Sequence, residues 1–174
     1  IKVRETFEPH EFEVKGDGSP VTVADLQAHR IIEGALSKIH PEIPLVSEEG
    51  SVGDPLCSEL CFLVDPLDGT KEFIRGNGMY TVNIALMERQ ANSRWTPILG
   101  VVHAPEFGVT WFGGQDAEAT RQDREGISGI CGGTNNSAPI IVGSVSHASP
   151  RDRAFAEAVG EHVFEGVGSS MKIC

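Results

Sequence analysis

Asp65 and Asp68 stand three residues apart in Val64-Asp65-Pro66-Leu67-Asp68-Gly69-Thr70, directly after the apolar run Leu60-Cys61-Phe62-Leu63-Val64. The pattern predicts a buried strand ending at Asp65, a proline-stiffened turn and a short helix beginning near Gly69. Both carboxylates then sit on a rigid element, the Leu67 carbonyl is free to point the same way, and Thr70 adds a hydroxyl at the helix start. Oxygen-only ligands of this kind suit a hard, near-octahedral cation such as Mg²⁺, whose shell phosphate or water completes. The bare string also reads as an Asp-Pro turn with a helix-capping Asp.

Two more acidic positions bear on that choice. Thr22 with Asp25 three residues on is an acidic variant of the capping box, opening a helix whose apolar stripe is Leu26, Ile32, Leu36 and Ile39 and which Pro41 ends. Ile43-Pro44-Leu45-Val46 is a short strand closed by Ser47-Glu48-Glu49-Gly50. Taken singly, Asp25 is a cap partner and the Glu pair a solvated turn. Taken together, the acids lie at element termini that can converge on the edge of a sheet. Two cations a few ångströms apart need several carboxylates to offset their charge, and phosphate-ester hydrolysis is the reaction such paired sites suit.

The elements that must position these groups follow. Met79–Met87, Ile98–His103 and Gly108–Phe112 alternate enough to predict an antiparallel meander, with residues 113–137 as an exposed Gly-, Asp- and Asn-rich excursion. From Pro139 the pattern changes to a strand at 140–143, a helix from Pro150 to Val159 and a strand at Val163-Phe164; Met171–Cys174 reads as the start of another element. This predicts a complete α+β domain over 1–137 and the beginning of an α/β domain over 138–174.

Bulk properties narrow the partners. The 174 residues are 40% hydrophobic with a formal net charge of −11, which argues against a nucleic-acid polymer or an anionic membrane as partner. No stretch approaches the roughly 20 apolar residues that span a bilayer. Ile1-Lys2-Val3-Arg4-Glu5 does not read as a signal peptide, and without an initiator Met the chain is expected to begin inside a longer protein. Cys57, Cys61, Cys131 and Cys174 lack CxxC spacing and read as reduced thiols of a cytoplasmic protein.

Three segments carry a family resemblance. Asp17-x-Ser19-Pro20-Val21-Thr22-x-Ala24-Asp25, Ser47-Glu48-Glu49 and Asp65-Pro66-Leu67-Asp68-Gly69-Thr70-Lys71-Glu72-Phe73-Ile74 resemble the signature of the inositol monophosphatase superfamily. Lys71-Glu72-Phe73 with Tyr80-Thr81-Val82-Asn83-Ile84-Ala85-Leu86 resembles its 3′(2′),5′-bisphosphate nucleotidase branch. The resemblance implies a layered αβαβα sugar-phosphatase-like fold. It implies an Mg²⁺-dependent phosphomonoesterase acting on a small phosphorylated nucleotide, 3′-phosphoadenosine 5′-phosphate, with inositol or fructose phosphates as the alternative substrates and a non-catalytic metal- or nucleotide-binding remnant as the other reading.

By the same resemblance, Glu48, Asp65, the Leu67 carbonyl and Asp68 hold Mg²⁺, of which the intact family site has two or more. Asp25 pairs with Thr70 to activate water, and Gly69 and Thr70 meet the scissile phosphate. His147 in Ser144-x-Ser146-His147, with Ser169 and Lys172 in Gly168-Ser169-Ser170-Met171-Lys172, would hold the nucleotide. The family carries a later Trp-Asp-x-x-Ala motif whose Asp is a further metal ligand. Trp95 and Trp111 are not followed by Asp, and the opening helix that the resemblance implies is missing ahead of Ile1, so the chain is expected to be truncated at both ends.

Overall fold

A computed structural model describes residues 12–14, 20–131, 138–145 and 149–174. The readings placed on Asp17, Ser19, Ser146 and His147 lie outside the described residues. In chain order the elements are β1 (Phe12–Val14), β2 (Pro20–Thr22), α1 (Val23–Ile39), β3 (Leu45–Ser47), β4 (Gly50–Val52), β5 (Leu60–Asp68), α2 (Thr70–Arg75) and β6 (Thr81–Arg89). There follow β7 (Trp95–Ala104), β8 (Val109–Gly114), β9 (Ala117–Asp123), β10 (Gly126–Gly129), β11 (Ile140–Ser144), α3 (Pro150–Val159) and β12 (Val163–Val167), and a 3₁₀ turn at Ser170–Ile173.

One eight-stranded sheet runs in the order β10-β9-β8-β7-β6-β5-β3-β4. From β5 to β10 it is an antiparallel meander, while β3 joins β5 in parallel. β11 and β12 pair in parallel as a separate two-stranded sheet, with α3 in the crossover between them. The architecture is a mixed α+β layered fold. The exposed excursion expected over 113–137 is corrected in part: β9 and β10 extend the meander there as a hairpin, most of whose residues are solvent-facing. Their polar composition hid the strands, because a sheet edge with both faces wet needs no apolar alternation.

α1 starts where its capping box places it. The Thr22 hydroxyl accepts from the Ala24 N–H at 3.2 Å, and the Thr22 N–H donates to Asp25 Oδ2 at 2.8 Å. The stripe that packs differs from expectation. Ala24 and Ala28 are buried, and Ile32 and Leu36 pack on the core of Leu45, Phe62 and Val64, whereas Leu26 is 40% and Ile39 66% exposed. Positions 24, 28, 32 and 36 form one i, i+4 row, and its two alanines let the helix backbone approach β5 closely. Burying each of Leu45, Phe62 and Val64 stabilises the fold by roughly 1.5–3 kcal/mol.

β5 does not stop at Asp65. It runs to Asp68 and carries a bulge, since Asp65 pairs with Asn83 and Asp68 with Thr81. Three steps on β5 thus face two on β6. Without the extra residue, the period of two would point side chains 65 and 68 to opposite faces; the bulge brings them to one side. Pro66 has no N–H to contribute to a ladder, so it is tolerated at that irregularity.

Candidate active site

The face of β5 that bears Asp65 is the one turned away from α1. Phe62 and Val64 point into the core with Ile32 and Leu36, so the alternate positions Leu63 and Asp65 look the other way. There Glu48, Leu63, Asp65, Asn83, Ala85 and Gly100 line an open cleft of about 560 Å³. Glu48 reaches it by continuing the parallel ladder: its N–H donates to the Val64 carbonyl at 3.3 Å, which sets Glu48 beside Asp65. The strand end is held from behind by Ser47, whose hydroxyl is 3.0 Å from His29 Nδ1 on α1 and accepts from the Glu49 N–H at 3.3 Å.

Asp25 and Thr70, 45 positions apart in the chain, meet at the same corner. The Thr70 hydroxyl donates to Asp25 Oδ1 at 3.2 Å, with the Leu67 carbonyl a longer alternative acceptor at 3.4 Å. Its single proton goes to the carboxylate, because charge-assisted bonds are the stronger. Asp25 is only 3% exposed, and its Oδ2 is occupied by the Thr22 N–H and hydroxyl. Cap and site therefore share one carboxylate. The Leu67 carbonyl oxygen lies 3.4 Å from the Thr70 hydroxyl at this corner.

The acids interact strongly. Burial pushes the Asp65 carboxyl up to about 7, and the negative charges of Asp68, Glu48 and Asp25 add to it against one lowering bond from the Leu67 N–H, at 3.2 Å. A site with this surplus of negative potential and oxygen donors alone fits a hard divalent cation. Among the described residues, no three His, Cys, Asp or Glu side chains close around one point. Glu48, Asp65, the Leu67 carbonyl and Asp68 thus share an electrostatic field without forming a closed cage.

The C-terminal turn comes to this site as well. Gly69 has φ +94°, and a Cβ there would lie 3.2 Å from both the Met79 carbonyl oxygen and the Ser169 Cβ. Only glycine lets the two loops approach this closely. Ser169 is buried; its hydroxyl accepts from the Met171 N–H at 3.3 Å, and Lys172 Nζ donates to the Ser169 carbonyl. Ser169 therefore borders Gly69, while Lys172 folds back on its own turn. Sequence reasoning assigned no role to Ser170, whose N–H donates to Asp68 Oδ2 at 2.5 Å. Nor did it single out Asn83, whose Nδ2 donates to the same oxygen at 3.2 Å. The signal for Asn83 was Thr81-x-Asn83, two polar residues at strand spacing inside an otherwise apolar run.

Residues 2–174 match the inositol monophosphatase family. The chain belongs to the inositol monophosphatase family. It is 38% identical over 176 residues to the 3′(2′),5′-bisphosphate nucleotidase CysQ of Shigella flexneri, covering 100% of this chain and 69% of that one. The crystal structure of CysQ from Bacteroides thetaiotaomicron superposes with a TM-score of 0.72 at 30% identity, over 91% of this chain and 64% of that one. The Thermotoga maritima inositol monophosphatase superposes at 0.71 and 25% identity, over 92% and 59%. The chain thus spans less than two thirds of the length of these two solved relatives of the inositol monophosphatase family. Among the described residues no helix is long and apolar enough to cross a membrane, and all four cysteines are free.

Proposed function

We propose that this member of the family is an Mg²⁺-dependent phosphomonoesterase that removes the 3′-phosphate of 3′-phosphoadenosine 5′-phosphate. The observation that carries the reading is the Thr70–Asp25 contact at 3.2 Å beside the bulge of Asp65 and Asp68, in a chain similar throughout to CysQ nucleotidases. Glu48, Asp65, the Leu67 carbonyl and Asp68 are the residues that would hold Mg²⁺. Bound there, the cation supplies an acidified water and charge neutralisation for the phosphoryl oxygens.

The chain's own residues do the rest. As water attacks phosphorus, its proton passes to Thr70 Oγ while the Thr70 hydroxyl proton moves to Asp25 Oδ1. The bond from phosphorus to the ribose 3′-oxygen breaks, and that oxygen takes up a proton from a solvent water as adenosine 5′-phosphate leaves. Thr22 keeps Asp25 oriented through Oδ2. Gly69 lets the 168–172 turn pack close to the phosphate and meets the phosphate through its backbone N–H; Ser169 and Lys172 of that turn, and His147, bind the nucleotide. In this reading residues 1–137 form the metal-binding domain and 138–174 belong to the substrate domain.

Phosphate release with Mg²⁺ tests the proposal. Turnover of 3′-phosphoadenosine 5′-phosphate well above that of inositol 1-phosphate and fructose 1,6-bisphosphate is expected. The reverse order would assign the chain to the sugar-phosphate branch, and Mg²⁺ binding with no turnover of any of them would leave a binding protein.

A further inference from the structure

All the hydrogen bonds of Asp68 among the described residues fall on Oδ2. Their directions can be worked out by counting protons. Ser170 Oγ lies 2.9 Å from Asn83 Oδ1, which can only accept, so the Ser170 hydroxyl donates there. The same oxygen lies 2.8 Å from Thr81 Oγ1 and must then accept from it. The Thr81 proton is spent on Ser170, which makes its 3.5 Å approach to Asp68 the weak member of the set. Asn83, its Oδ1 committed as acceptor, turns Nδ2 to Asp68 Oδ2, and the Ser170 N–H occupies that oxygen's other lone pair. Thr81 is fully buried, and Asp68, Asn83 and Ser170 are half-buried.

We propose that Ser170 and Asn83 are positioning residues that pin Asp68 Oδ2 and present Oδ1 to the cation, so that docking of the 168–173 turn and Mg²⁺ binding are coupled. The inference rests on the metal reading above. It goes beyond that reading by making the turn that borders the substrate position part of the outer shell of the metal. Outer partners of this kind typically carry 10–100-fold in metal affinity. By linkage, whatever the turn contributes to Mg²⁺ binding the cation returns to the turn.

The test is calorimetric titration with Mg²⁺ of the wild type, S170A, N83A and the double variant, beside amide exchange across residues 168–174 with and without Mg²⁺. N83A is expected to weaken Mg²⁺ about 10-fold or more; S170A, which keeps the N–H on Asp68 and loses the hydroxyl that orients Asn83, is expected to weaken it in the same direction by no more than N83A, and the double variant to be little worse than N83A. Mg²⁺ should slow exchange at the Ser170 amide in the wild type. D68A should speed it with no metal present, a readout independent of both metal and activity. A lower Tm with unchanged Mg²⁺ affinity in S170A and N83A would overturn the inference, as would Ser170 exchange indifferent to D68A, or a wild type that does not bind Mg²⁺. Loss of phosphate release on every substrate, with this coupling intact, would count against the proposed activity alone.

Discussion

Asp25 binds Thr70 through one carboxylate oxygen, at 3.2 Å, and Thr22 through the other, at 2.8 Å from its N–H. One side chain thus closes the first turn of α1 and orients the hydroxyl that heads α2. The two duties can be separated. T70A should leave Tm and KM close to wild type and lower kcat by roughly 10²–10⁴-fold, the usual cost of losing acid–base assistance. D25N should lose as much turnover and also about 1 kcal/mol of stability through the weakened cap. The double variant should turn over no more slowly than either single, and multiplicative losses would show that the pair is not a unit.

Asp65 makes the metal-free protein sensitive to pH in a direction opposite to most carboxylates. Its folded pKa is raised from 3.8 to about 7. Between these values the native state holds the proton more often than the unfolded chain, so this group's contribution to stability falls as pH rises through that window. Mg²⁺ competes with the same proton. The Mg²⁺-induced rise in Tm should therefore be large at pH 8 and small at pH 5.5, and D65N without metal should flatten the pH dependence. Equal Mg²⁺ shifts at both pH values would exclude Asp65 as a ligand.

Gly69 should resist substitution for two reasons. Its φ of +94° is costly for any residue with a Cβ, and that Cβ would lie 3.2 Å from Ser169 and from the Met79 carbonyl. G69A is expected to destabilise by about 1–3 kcal/mol and to loosen the 168–173 turn. Urea unfolding measures the first, and proteolysis after Lys172 the second. A Gly69 variant with unchanged urea midpoint and protection would show that the loops do not need this approach.

The sheet of β11 and β12 leaves an apolar patch open. Ile140 and Val163 are register partners, exposed by 60% and 50%, and Val142 lies two residues along the same face at 41%. Adjacent exposed aliphatics on a short parallel pair favour association. Light scattering should detect self-association of the wild type at micromolar concentration, and I140K/V163K should reduce it without lowering Tm. Unchanged scattering in that variant would place the sticky surface elsewhere.

What the sequence determined by itself is what depends on neighbours within a few residues. The Thr22–Asp25 capping box, the start of α3 at Pro150, the apolar runs of β5 to β8 and the family signature around Asp65–Thr70 are all legible without coordinates, because capping and alternation are short-range. The carboxylate pair was legible as chemistry but not as geometry. That Asp65 and Asp68 share a side follows from a bulge, which is visible only in the pairing with Asn83 and Thr81. Tertiary structure alone decided which α1 residues pack. Alanines 24 and 28 win over Leu26 and Ile39 because close approach to β5 rewards small side chains in one i, i+4 row. It alone revealed β9 and β10, whose solvent-facing residues carry no apolar signal. And it alone brought Ser170 to Asp68 across 102 residues, since a backbone N–H is the same in every non-proline residue and leaves no trace in a sequence.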